Sequence, residues 1–173
     1  AVHPGVDLPT LGGIHFMDTM EIVIRTSGRS RKGGGLGGDA YLEGTAQDFQ
    51  QSGKPWRELD GFFGLPSPVF QAWMRHPVHD AYWKAATPTA VEYRSLDIPI
   101  LTITGHYDDD QVGALTYYRD HLRYGSPAAK ERHFLVIGPW DHLQTRTPAL
   151  ESEGVTFGRA SLVDMNALHK AWF

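Results

Sequence analysis

The chemically capable residues of this chain fall into two short clusters. One is Gly105-His106-Tyr107-Asp108-Asp109-Asp110-Gln111 and the other is Gly138-Pro139-Trp140-Asp141-His142. Each follows an apolar, β-branched run, 98–104 (IPILTIT) and 133–137 (HFLVI). Runs of this length read as buried strands. In open α/β sheets, ligands gather outside the carboxyl ends of the strands. An acid after one strand and a histidine after the next form the tail of a Ser…Asp…His order. The acid would hold the imidazole proton on the facing nitrogen, leaving the other nitrogen free to deprotonate a serine hydroxyl. A blander reading stands beside this one. The acid caps the following helix, and the histidine is a polar loop residue.

The elements that must position these clusters have an α/β rhythm. Val112, Leu115, Tyr118 and Leu122 follow the first cluster at helical spacing, and a last amphipathic helix is expected to carry Leu162, Met165, Leu168 and Trp172. Strand, helix, strand, helix predicts a parallel sheet over 89–173. Two strands are few for a stable sheet, so a partner segment is expected. Residues 1–88 differ, being rich in Gly, Pro and aromatics, with short helical patterns and no convincing strand pair. Phe16, Met20, Val23 and Ile24 share one helical face, although Ile22 and Ile24 alternate as a strand would. Ser67-Pro68 reads as an N-cap with Pro at N1. Val69, Phe70, Trp73 and Met74 then form an apolar stripe, which His76-Pro77 terminates.

Composition narrows the function classes. The 173 residues include 20 acidic and 16 basic side chains, a net charge of −4 that predicts no nucleic-acid partner and no anionic membrane surface. With no cysteine, thiol catalysis, disulfides and Cys-ligated zinc are excluded, while the compartment stays open. No apolar run is long enough to span a bilayer. The 19 Gly and 11 Pro predict abundant loops. The start, AVHPGVDLPT, has neither an initiator Met nor a leader pattern, so a piece of a longer protein is expected.

The stretch HPVHDAYWKAATPTAVEYRSLDIPILTITGHYDDDQVGALTYYRDHL, followed by RHFLVIGPWDH, resembles the cocaine esterase, α-amino acid ester hydrolase and glutaryl acylase family, relatives of X-prolyl dipeptidyl peptidases. The strongest motifs are IPILTITGHYD and VIGPWDH, and the resemblance is specific over about 76–142. It implies a serine hydrolase built from an α/β-hydrolase core with an inserted helical cap. Residues 1–88 would then be cap-like and 89–173 the last part of the core. By the same resemblance Asp108 matches the triad acid and His142 the triad base, 34 residues apart. Asp110 matches one of the carboxylates that hold a substrate ammonium in the amino ester branch. Gln111 stands where a second acid is expected there. Asp109 and Asp110 can also be read as the acidic first turn of the next helix. Tyr107 and Trp140 flank the pair and join Asp110 as expected substrate contacts.

The departures matter as much. The family nucleophile sits in a Gly-x-Ser-x-Gly elbow. None of Ser27, Ser30, Ser52, Ser67, Ser95, Ser126, Ser152 and Ser161 has glycine two residues away on both sides. The reading is therefore two thirds of a triad, with the serine on a missing N-terminal hydrolase segment and the chain inactive by itself. The expected substrate is a small-molecule ester or amide, with no cofactor and no metal. The competing reading is a non-catalytic fragment that binds, or associates as one half of an assembly, a homo-oligomer included. Gly33-x-Gly35-x-x-Gly38 follows RSRK within a flexible loop (27–39) and lacks the βαβ unit a dinucleotide site requires. Arg25, Arg29, Arg31 and Lys32 form too short a basic cluster for nucleic acid. His76, His79 and Asp80 offer metal-ligating types, but Pro77 breaks the helix that would align them. Trp56, Phe62, Phe63, Phe70, Trp73, Tyr82 and Trp83 are either core or the lining of an acyl pocket.

Overall fold

A computed structural model describes residues 10–11, 14–15, 23–24 and 40–173 except 153. The expected loop 27–39, its glycine motif and the basic cluster lie outside these residues, as do Phe16 and Met20 of the expected first helix. The chain divides into two compact units between Trp83 and Lys84. Within the first, Thr10–Leu11 (β1) and Ile14–His15 (β2) pair antiparallel. A two-residue ladder is too short to leave an alternation pattern, so the sequence reading had no strand pair here. Val23 and Ile24 are helical and buried, as the helical reading of that run requires.

The other elements described in this unit are helices: Ala40–Ser52 (α1), a 3₁₀ turn at Trp56–Glu58, Leu59–Phe62 (α2) and Pro68–Arg75 (α3). The Ser67 hydroxyl accepts the Phe70 N–H at 3.1 Å, and Pro68 fills N1, where no N–H is needed. Phe70 is fully buried with Phe49, Leu59 and Phe63, and Trp73 and Met74 pack against them. Val69 instead points to solvent, so the stripe is narrower than its spacing implied. Phe49 meets Phe62 and Trp56 edge-on at 5.4 and 6.0 Å, which makes most of the expected aromatic set core. Asp60 is a buried hub whose carboxylate accepts the Ser67 N–H at 2.8 Å and the Gln71 amide at 2.8 Å, tying α2 to the start of α3. His76 pairs with Asp80 at 2.7 Å and stacks on Tyr82, a closed loop contact.

The second unit follows the short helix Ala81–Lys84 (α4). Helix Ala90–Ser95 (α5) opens with a reciprocal capping box between Thr89 and Glu92. Strand Ile100–Gly105 (β3) then pairs parallel with His133–Gly138 (β4), and helix Gln111–Tyr124 (α6) with the short helix Pro127–Lys130 (α7) lies between them in the chain. The expected strand at 98–104 begins two residues late. Ile98 is exposed and Pro99 has no N–H to give a ladder. The register sets Ile100 opposite His133 and Gly105 opposite Gly138, so both strands end level.

Helix α6 packs on α5 and β3. Its fully buried face is Gly113, Ala114 and His121, with Val112 exposed and Leu115, Tyr118 and Leu122 half-buried, so the stripe of large apolar residues lies beside the buried face rather than on it. Small residues let the helix approach closely, and an imidazole is buried because it has a partner. A two-residue hairpin, Glu151–Ser152 (β5) with Val155–Thr156 (β6), precedes the last helix, Met165–Trp172 (α8). Asp164 caps α8 by accepting the Ala167 N–H, which leaves Leu162 outside the helix and exposed. The architecture is a mixed α/β fragment of a hydrolase-like fold.

Candidate active site

The loops after β3 and β4 extend the ladder past the strands. The His106 N–H donates to the Gly138 carbonyl at 2.9 Å and the Tyr107 N–H to the Trp140 carbonyl at 3.0 Å. Close approach makes this possible. A Cβ on Gly105 would run into the Trp140 carbonyl, and one on Gly138 into the Trp140 indole. Trp140 is itself 1% exposed, with its indole N–H donated to the Ser161 carbonyl at 2.9 Å. That burial makes it a support for the two loops. We expect Gly105→Ala to lower stability by about 2–3 kcal/mol, because backbone rather than a flexible side chain must move. Gly61→Ala, in α2 with open space around it, is the control and should be near neutral. Urea unfolding of both variants provides the check.

The loop trajectory brings Asp108 and His142 together. Asp108 Oδ1 lies 3.1 Å from His142 Nδ1. The same oxygen accepts the Asp110 N–H at 3.1 Å, and Oδ2 accepts the Thr104 hydroxyl at 3.0 Å. Thr104 is fully buried on β3, so it holds the carboxylate from below. The turn itself is tied by the Gln111 N–H to the Asp108 carbonyl at 3.0 Å and by the Gln111 amide to the Gly105 carbonyl at 2.9 Å. Gln111 therefore works as a loop brace.

Exposure is asymmetric across the pair. The Asp108 side chain is 5% exposed and that of His142 46%. A buried acid fixes one ring nitrogen while the imidazole as a whole is half exposed, a disposition compatible with a general base. Two further carboxylates approach the same nitrogen, Asp110 at 3.5 Å and Asp109 at 3.9 Å. The ligand atoms of Asp108, Asp110 and His142 lie within 4.8 Å of one another, so these residues would be the donor set for a cation here. They are also the members of the acid–imidazole group already described.

Tyr107 is 54% exposed, with its ring 5.7 Å from that of Phe157. Asp141, adjacent to the histidine, faces away. Its carboxylate takes the Gln144 N–H at 2.7 Å and the Ser152 hydroxyl at 3.1 Å, which anchors the β5–β6 hairpin. The anchoring roles of Thr104, Gln111 and Asp141 were missed in the sequence. A threonine in a strand and an acid beside a histidine carry no signal of what they bond.

A parallel strand pair with a buried acid and a half-exposed histidine at its carboxyl end defines a hydrolase-like α/β fragment. A family model described as X-Pro dipeptidyl-peptidase (S15 family) matches residues 28–144, and the chain belongs to that family. The family is one of hydrolases. No curated protein and no solved structure matches the chain. Among the described residues, no helix is long and apolar enough to cross a membrane.

Proposed function

We propose that the chain is part of a serine hydrolase that cleaves ester or amide bonds, and that it supplies the acid and base of a Ser-His-Asp triad. The observation that carries this reading is the 3.1 Å contact between buried Asp108 and half-exposed His142 at the ends of adjacent strands. Asp108 holds the proton on Nδ1. His142 Nε2 takes the proton of a serine hydroxyl contributed from outside these 173 residues as the oxygen attacks the substrate carbonyl. The same proton then passes to the departing alcohol or amine. Water repeats the sequence to release the acid.

Within the family, the motifs IPILTITGHYD and VIGPWDH favour the cocaine esterase, α-amino acid ester hydrolase and glutaryl acylase branch, with small-molecule esters or amides as substrates. Residues 1–88 would serve as a cap, and exposed Tyr107 beside Phe157 offers an apolar surface to the substrate. A fluorophosphonate probe and p-nitrophenyl acetate test the reading. The natural full-length protein should be labelled covalently and should turn over the ester, and His142→Ala should abolish both. The 173-residue chain should do neither. Labelling of that chain would sink the view that its nucleophile lies elsewhere. An unlabelled, inactive full-length protein would leave the non-catalytic, association-only reading in its place.

A further inference from the structure

Asp110 stands at the N-cap of α6, where an aspartate ordinarily accepts an N–H of the first helical turn. Its side chain makes no such cap bond. The carboxylate is turned toward the site instead, with Oδ2 3.5 Å from His142 Nδ1, and the side chain is only 14% exposed. Its backbone N–H meanwhile donates to Asp108 Oδ1 at 3.1 Å, so one residue braces the triad acid through its main chain and faces the triad base through its side chain. Asp109 is farther from the ring, at 3.9 Å, and 48% exposed, where water screens its charge. The imidazole nitrogen thus faces two sheltered carboxylates, Asp108 and Asp110.

We propose that Asp110 is a positioning residue that shares with Asp108 the Nδ1–H of His142. A proton on Nδ1 is attracted to both carboxylates. A proton on Nε2 instead would leave the Nδ1 lone pair facing two negative groups, which is repulsive. When the ring takes up the serine proton, the resulting imidazolium lies between two opposite charges. This deepens the hydrolase reading and depends on it for its catalytic consequence. The effect on the tautomer needs no turnover.

The first measurement is a long-range proton–nitrogen spectrum of the full-length protein carrying ¹⁵N-histidine. Neutral His142 should be chiefly the Nδ1–H tautomer. Asp110→Ala should raise the ratio of Nε2–H to Nδ1–H by about threefold, the scale of a partly exposed ion pair. Asp110→Asn should act in the same direction, Asp110→Glu should restore the ratio, and Asp109→Ala should leave it unchanged. Unaltered ring signals of the buried His121–His133 pair report that each variant is folded.

The second measurement is kinetic, in the full-length protein. Asp110→Ala should lower kcat about tenfold for neutral and ammonium-bearing esters alike, with KM held, because the loss falls on the imidazolium of the transition state. A rise in KM confined to ammonium-bearing esters would make Asp110 a substrate contact and overturn the proposal. So would a tautomer ratio insensitive to Asp110→Ala, or an equal response to Asp109→Ala. An inactive full-length protein whose His142 ratio still follows Asp110 would count against the hydrolase reading alone.

Discussion

Asp108→Asn is expected to lower kcat by on the order of 10⁴ in the full-length protein, the scale of a misplaced imidazole proton in a serine triad. The amide preserves shape and removes charge. With its NH₂ toward Nδ1 it donates there and drives the ring proton to Nε2, where the serine should bind. With its oxygen toward Nδ1 the imidazolium loses its buried counter-charge. His142→Ala should be comparably severe, since it removes the group proposed to take the serine proton. The Asp108→Asn/His142→Ala double variant should be little worse than either single change, because members of a unit are non-additive. Asp109→Asn should cost far less, its carboxylate being 3.9 Å from the ring and half exposed. Steady-state kinetics with p-nitrophenyl acetate decides the order. Near-normal turnover in His142→Ala, or equal damage from Asp109→Asn, would dismantle the site assignment.

The second large effect concerns stability in acid. His133 on β4 and His121 on α6 are both buried, with their Nδ1 atoms 2.8 Å apart. One must donate and the other accept, so a single proton lies between them and both rings cannot be cations. The Thr102 hydroxyl engages His133 Nε2 at 2.8 Å, and the rings of Tyr117 and Tyr118 close over it edge-on. Burial, and then the charge of His121, push His133 down to about 4 from 6.5. His121 is lowered as well, first by burial and then by Lys130.

Below pH 6.5 the unfolded chain takes up a proton at His133 that the folded chain refuses until about pH 4. The stability that neutral His133 confers is therefore complete above 6.5 and is lost as pH falls toward 4. One proton contributes about 1.4 kcal/mol per pH unit, or about 3 kcal/mol across the window. His121 adds to the loss in the same direction. Urea unfolding at a series of pH values should show this slope in the native sequence and a flatter one in His133→Gln. An unchanged slope in that variant would exclude the pair as its source.

Much of the frame was legible because its signals are local. Short β-branched runs ending in glycine announce strands, and Ser67-Pro68 announces a helix start through a bond only three residues long. The faces of the helices were less legible. Hydropathy assigns α6 a stripe through Val112, yet the helix buries Gly113, Ala114 and His121. A glycine adds no apolar side chain to count and a histidine counts as polar. Their burial depends on Tyr93, whose ring lies 6.2 Å from that of His121, and on His133, twelve residues farther along the chain.

What the sequence by itself determined is the order of the chemistry: a strand, an acid, a helix, a strand and a histidine, each marked by residues adjacent to it. Three consecutive aspartates are equivalent in that description. The tertiary structure decided among them, because the level ends of β3 and β4 and the bare Cα of Gly105 let the first loop lie against the Trp140 carbonyl. That contact sets where each successive side chain points. Asp108 falls onto Thr104 and His142, Asp110 comes within 3.5 Å of the same ring nitrogen, and Asp109 stays half in solvent. Trp140, by sequence a candidate to touch substrate, is buried beneath the loops by the same approach. Adjacent residues of one type differ only in the direction the backbone gives them, and that direction comes from the neighbouring strand.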